Sequence, residues 1–130
     1  MQSTQQITLY GIPNCDTVKK ARVWLQEHQG DFVFHDFKKN GLDRSTVEQW
    51  LTQVGLDVLI NRKGTTWRAL SDEQKASATD TEQAISLMLA SPSLIKRPVL
   101  HVTSGENNGI QSISVGFSPA QYHSIFNMRP

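Results

Sequence analysis

The chain carries one cysteine, Cys15, among 130 residues. An internal disulfide is therefore excluded, and so is a redox centre built on two of the protein's own thiols. No such staple is needed, because 130 residues suffice for one domain that buries roughly two-thirds of its unfolded surface. Neither sign of charge is in excess: the net charge is +1, which gives no whole-molecule attraction to nucleic acid or a membrane surface. No apolar run approaches the ~20 residues of a membrane-spanning helix. The opening MQSTQQ lacks the charged and apolar regions of a secretory signal. Histidine is sparse and scattered (His28, His35, His101, His123), and with no second cysteine it offers no metal-ligand set. The tryptophans Trp24, Trp50 and Trp67 have no basic stripe around them, which argues against direct nucleic-acid binding. The expectation is a monomeric cytoplasmic protein, a single domain over 1–130, with no bound metal or cofactor.

What is present centres on residues 7–22. Ile7 and Leu9 alternate as in a strand, Gly11, Ile12, Pro13 and Asn14 make a tight turn, and Cys15 follows. Val18, Ala21 and Leu25 then mark one face of a helix that starts at Asn14 or Cys15 and runs to about His28, ended by Gly30. A lone cysteine is usually a small buried hydrophobe. This one sits at a strand-to-helix turn, facing free backbone N–H groups and the positive end of the helix dipole. Both favour the thiolate, the nucleophilic form. Asp16 and Thr17 fall in the first turn, and Lys19 adds positive charge one turn on.

Phe32, Val33, Phe34 and Phe37 read as a second, buried strand parallel to the first, completing a βαβ unit. Asp43 is a plausible N-cap for a helix whose apolar face is Val47, Trp50, Leu51 and Val54, with Gly55 as its C′ residue. Leu56 to Ile60 form a short apolar piece. Ser71 with Gln74, and Thr79 with Glu82, have the spacing of capping boxes. The second opens a helix with Ala84, Ile85, Met88 and Leu89 inward. Val99 to Val102 read as a third strand and Ile113 with Val115 as a fourth, joined through a turn at GENNG (105–109). Ser118, Pro119 and Gln121 open a last helix that buries Tyr122, Ile125 and Phe126. With about 40–95 set aside as a helical insertion, the order βαβ then ββα is the α/β, thioredoxin-like (glutaredoxin-like) arrangement of a four-stranded mixed sheet. Two further arginines are candidates. Arg62 lies in a polar loop and Arg97 immediately precedes Pro98, and either guanidinium fork suits an oxyanion or carboxylate.

The words GIPNCDTVKKAR (11–22), INRK (60–63) and LIKRP (94–98) together resemble the arsenate reductase (ArsC) family, in its Spx/YffB branch and most like the YffB-type proteins. The resemblance runs from Ile7 to about Phe126. It implies that Cys15 is the catalytic nucleophile, that Arg62 and Arg97 bind the anionic group, and that Arg97–Pro98 is a cis bond beside the thiol. Asn14, Thr17, Lys19 and Pro98 complete the implied substrate- or glutathione-binding set. A third arginine expected before the last helix is absent, and Phe117 is its nearest counterpart. The position three after Cys15 is Val18, so no C-x-x-C motif exists. The implied function is a glutathione-dependent thiol reductase, with glutathione as co-substrate and an unidentified oxidised thiol or oxyanion as substrate. The alternatives are an arsenate reductase and a Spx-like regulator that docks on RNA polymerase.

Overall fold

β1 (Gln6–Gly11) owes its place to strict alternation: Ile7 and Leu9 turn to one face and are buried, while Thr8 and Tyr10 turn to the other. The computed structural model describes residues 6–104 and 110–126, so the GENNG turn at 105–109 lies outside the described residues. The chain divides into two compact units, one formed by 1–38 with 97–130 and the other by Lys39–Lys96.

The first unit holds the sheet. α1 (Asp16–His28) follows β1 and closes on Gly30, whose φ of 87° suits glycine and whose N–H reaches the Leu25 carbonyl at 3.0 Å. β2 (Val33–Asp36) pairs with β1 in parallel, and β3 (Val99–Ser104) and β4 (Ile110–Val115) add antiparallel, giving the order β2-β1-β3-β4. Two expectations for β2 are corrected. Phe37 is not in the strand but begins α2 (Phe37–Asn40), and Val33 is 62% exposed. An edge strand has a neighbour on one side only, so its aromatic composition does not make it a buried one. α8 (Pro119–Phe126) opens as read, with the Gln121 N–H donating to Ser118 Oγ at 3.0 Å. The unit's core joins Ile7 and Leu9 of β1, Val18, Ala21, Trp24 and Leu25 of α1, Leu100 and Val102 of β3, and Tyr122 of α8.

The second unit is helical: α3 (Arg44–Leu51), α4 (Leu56–Leu59), α5 (Thr65–Arg68), α6 (Asp72–Ser77), α7 (Thr81–Ala90) and a 3₁₀ turn at Pro92–Leu94. Its buried residues include Val47, Trp50, Leu59, Ile85, Met88 and Leu94. α3 ends at Leu51, and Gly55 serves as N-cap of α4 with φ of −67°, not as a left-handed C′ residue. The Ser71–Gln74 capping box forms, whereas α7 is capped by Asp80, which accepts the Gln83 N–H at 3.0 Å. Thr79 instead donates its hydroxyl to the Ala76 carbonyl of the preceding helix. Arg44 bridges α3 and α7 by pairing with Glu48 and Glu82. Among the described residues, no helix is long and apolar enough to cross a membrane.

Burial raises the phenol of Tyr122, and also that of Tyr10, above the ordinary value. Above about pH 10 the unfolded chain therefore releases protons that the folded chain keeps. Stability is full below that pH and falls as pH rises beyond it. Tyr122→Phe should flatten this alkaline loss, read as urea midpoints at about pH 9 and 11. The Tyr122 hydroxyl is buried without a hydrogen-bond partner among the described residues, so its removal should cost no more than about 1 kcal/mol at neutral pH. An equally steep alkaline loss in the variant would contradict this account.

Candidate active site

Cys15 is the N-cap residue of α1, with extended backbone (φ −90°, ψ 125°). Its N–H closes the turn onto the Ile12 carbonyl at 3.2 Å, and its carbonyl accepts the first helical bond, from the Lys19 N–H, at 2.9 Å. The thiol makes no capping bond, so the first-turn N–H groups stay available to whatever binds beside it. Cys15 is half-buried, resting on the core cluster below while keeping an open side. Asn14 and Lys19 are exposed and Thr17 is half-buried around it; Asp16, exposed, starts the helix. The turn itself is held tight. A Cβ on Gly11 would stand 2.8 Å from Val18 Cγ2, so only glycine lets the end of β1 pass this close to the first turns of α1.

The antiparallel register brings the second element of the site to the same end of the sheet. Tyr10 of β1 lies opposite Val99 of β3, so Arg97 and Pro98 precede β3 where Ile12–Cys15 leaves β1. The Arg97–Pro98 bond is cis, as the resemblance implies. Pro98 is buried, Arg97 half-buried, and the Pro98 carbonyl accepts the Gly116 N–H at 2.8 Å. Val99 also pairs with Val115, so β4 delivers Gly116 and Phe117 to this end too. Gly116 has φ of 80°, the left-handed turn that redirects the chain into α8. Phe117 packs edge-on to Tyr122, with ring centres 4.7 Å apart.

Arg62 belongs to the second unit. Asn61 N–H reaches the Leu94 carbonyl and Lys96 N–H the Leu59 carbonyl, both at 2.8 Å, which pins the loop at both sides of the Ile60–Ile95 bridge. Arg62 is exposed, and its guanidinium stands 5.4 Å over the Trp67 ring. With Lys63 and Lys96 it lines a cavity of about 290 Å³. The structure thus brings Asn14, Cys15, Thr17, Lys19, Arg97 and Pro98 onto one unit and puts Arg62 on the other. Among the described residues no three His, Cys, Asp or Glu side chains cluster as metal ligands. Sequence reasoning missed Val23 and Trp24, which line a groove along α1 with Phe117 and Pro119. The available signal was Val23 itself, an aliphatic residue off the Val18–Ala21–Leu25 face.

Comparison with known proteins agrees with this architecture. The family model described as "ArsC family" matches residues 10–125. The solved YffB protein is 45% identical with a TM-score of 0.77, covering 92% of this chain and 97% of its own. An arsenate reductase (ArsC) related protein from Brucella melitensis is 46% identical with a TM-score of 0.67, covering 95% and 96%. The global transcriptional regulator Spx of Streptococcus pyogenes is 31% identical over 97 residues, 72% of this chain and 70% of Spx. With a match over nearly its whole length and a four-stranded mixed sheet of the thioredoxin-like kind, the chain belongs to the ArsC family.

Proposed function

We propose that this protein is a thiol reductase that uses glutathione, with Cys15 as its only redox nucleophile. The observation that carries this reading is the half-buried, uncapped Cys15 at the head of α1, at the same sheet end as Arg97 and cis-Pro98. The Cys15 thiolate attacks a glutathione mixed disulfide at the glutathione sulfur. The S–S bond breaks, the substrate leaves as a thiolate, and Cys15 keeps the glutathionyl group as a new disulfide. A second glutathione thiolate attacks that sulfur, releases glutathione disulfide and restores the Cys15 thiolate. Net, one free glutathione thiol is consumed: the substrate sulfur leaves as a thiol and the two glutathionyl sulfurs end joined in glutathione disulfide, so a single protein thiol completes the cycle. Arg97 holds a glutathione carboxylate, and the backbone beside Pro98 pairs with the peptide part of the ligand. Asn14, Thr17 and Lys19 flank the same thiol. Such chemistry needs a reducing compartment, and we place the protein in the cytoplasm.

Glutathione-dependent reduction of hydroxyethyl disulfide tests the reading. Arg97→Ala should raise the KM for glutathione about tenfold, the scale of one charge-assisted hydrogen bond, with a smaller change in kcat. An unchanged KM would remove Arg97 from the glutathione site. A second reading, arsenate reduction, is favoured by the likeness to the Brucella arsenate reductase (ArsC) related protein. Phe117 stands where the family resemblance implies a third cation, which weakens an oxyanion clamp. Arsenate-dependent oxidation of glutathione would favour that reading, and no turnover at saturating arsenate would exclude it.

A further inference from the structure

Along α1, the side away from the core carries Lys19, Lys20 and Glu27, and between them Val23, which is 53% exposed. Beside it lies a groove of about 400 Å³ whose apolar lining is Val23, Trp24, Phe117 and Pro119. Trp24 is nearly buried, stacked on Phe126 at 5.7 Å and edge-on to Tyr122 at 5.6 Å, so the floor is a packed aromatic surface. The groove begins at Lys19, one helical turn beyond Cys15, and reaches Glu27. Eight residues of helix span about 12 Å, the length of three to four extended residues. Its charge is directional. Lys19 and Lys20, exposed and without a carboxylate partner among the described residues, stand at the thiol end, and Glu27 stands at the far end.

We propose that this groove is the subsite for the polypeptide half of the disulfide substrate, selecting an acidic residue next to the reactive cysteine and an apolar side chain beyond it. The inference rests on the thiol-transfer reading above and adds its substrate class, a glutathionylated acidic–apolar protein segment. An acidic residue near the thiol meets the two lysines, while the same residue further along would meet Glu27. The apolar side chain covers Val23 and Phe117, where an arginine would have favoured a bare anion instead.

The test uses blocked peptides carrying glutathione on cysteine: Leu-Glu-Cys-Gly, the same with Gly in place of Leu, and the same with Lys in place of Glu. Relative to hydroxyethyl disulfide, kcat/KM should fall about tenfold for either altered peptide. Val23→Glu should erase the preference for Leu, and Lys20→Glu should reverse the preference for Glu. Binding of the three redox-inert counterparts with Ser in place of the modified Cys (Leu-Glu-Ser-Gly, Gly-Glu-Ser-Gly and Leu-Lys-Ser-Gly), read by fluorescence anisotropy, should follow the same order. Three peptides turned over and bound alike, with hydroxyethyl disulfide still reduced, would overturn the subsite and leave the reductase reading intact. No reduction of any disulfide would overturn both. A dimer that Val23→Glu dissociates would assign the groove to a second copy of the chain and overturn the proposal.

Discussion

Cys15→Ser loses glutathione-dependent disulfide reduction by on the order of 10³-fold or more. The expected loss is near total because no other thiol exists to replace it. A hydroxyl at this position keeps the shape of the turn, where the Ile12 carbonyl and Lys19 N–H bonds involve only the Cys15 backbone. It does not attack sulfur at neutral pH. Thermal stability should therefore change little while turnover disappears, which separates chemistry from folding. Intact-mass measurement gives a second readout: the wild-type chain treated with glutathione disulfide should gain one glutathionyl group, and the variant none. Retained turnover in Cys15→Ser would end the reductase reading.

Leu9→Ala should cost about 3 kcal/mol, within the range for emptying a buried leucine site. Leu9 is fully buried at the middle of β1, paired with Phe34 on one side and Leu100 on the other, and belongs to the cluster with Val18, Ala21 and Leu25 of α1. Partners held by backbone pairing on both flanks have little freedom to close over the gap, so the cavity term remains. For a chain of this length the midpoint of thermal unfolding should fall by roughly 10 °C. Urea titration of the two proteins is the direct check. A loss under about 1 kcal/mol would mean that this face of β1 is not the packed centre of the sheet.

Much of the sheet unit was legible because its signals are local. The alternation of Ile7 and Leu9, the 3.6-residue spacing from Val18 to Leu25 and the stop at Gly30 each depend on neighbours a few positions away. The position of β2 at the edge was not legible, since strand order depends on where residues ninety positions later pair. Phe37 falls outside that strand, and its composition cannot show it, because an aromatic run looks alike in a strand and at the start of a helix. The cap of α7 is ambiguous by one position, because Thr79–Glu82 and Asp80–Gln83 both fit the pattern. The carboxylate, the stronger acceptor at a helix N-terminus, took it. Cys15, Arg97 and Pro98 stood out as words in the sequence. The groove did not, because Val23 and Trp24 meet Phe117 and Pro119 only after the chain has returned through β3 and β4.

That return has a consequence during synthesis. β1 and β3 are the two inner strands, yet Tyr10 and Val99 are separated by the whole of 39–96. On a chain made from its N-terminus, the edge of β1 that β3 will cover is open until that stretch has been translated. An open strand edge is a template for pairing with other chains. The length of the intervening stretch therefore sets an interval of exposure that the equilibrium stability of the finished protein does not govern. Pausing within codons 39–96 lengthens it, so soluble yield from this chain should respond to the speed of translation there even when the protein sequence is unchanged.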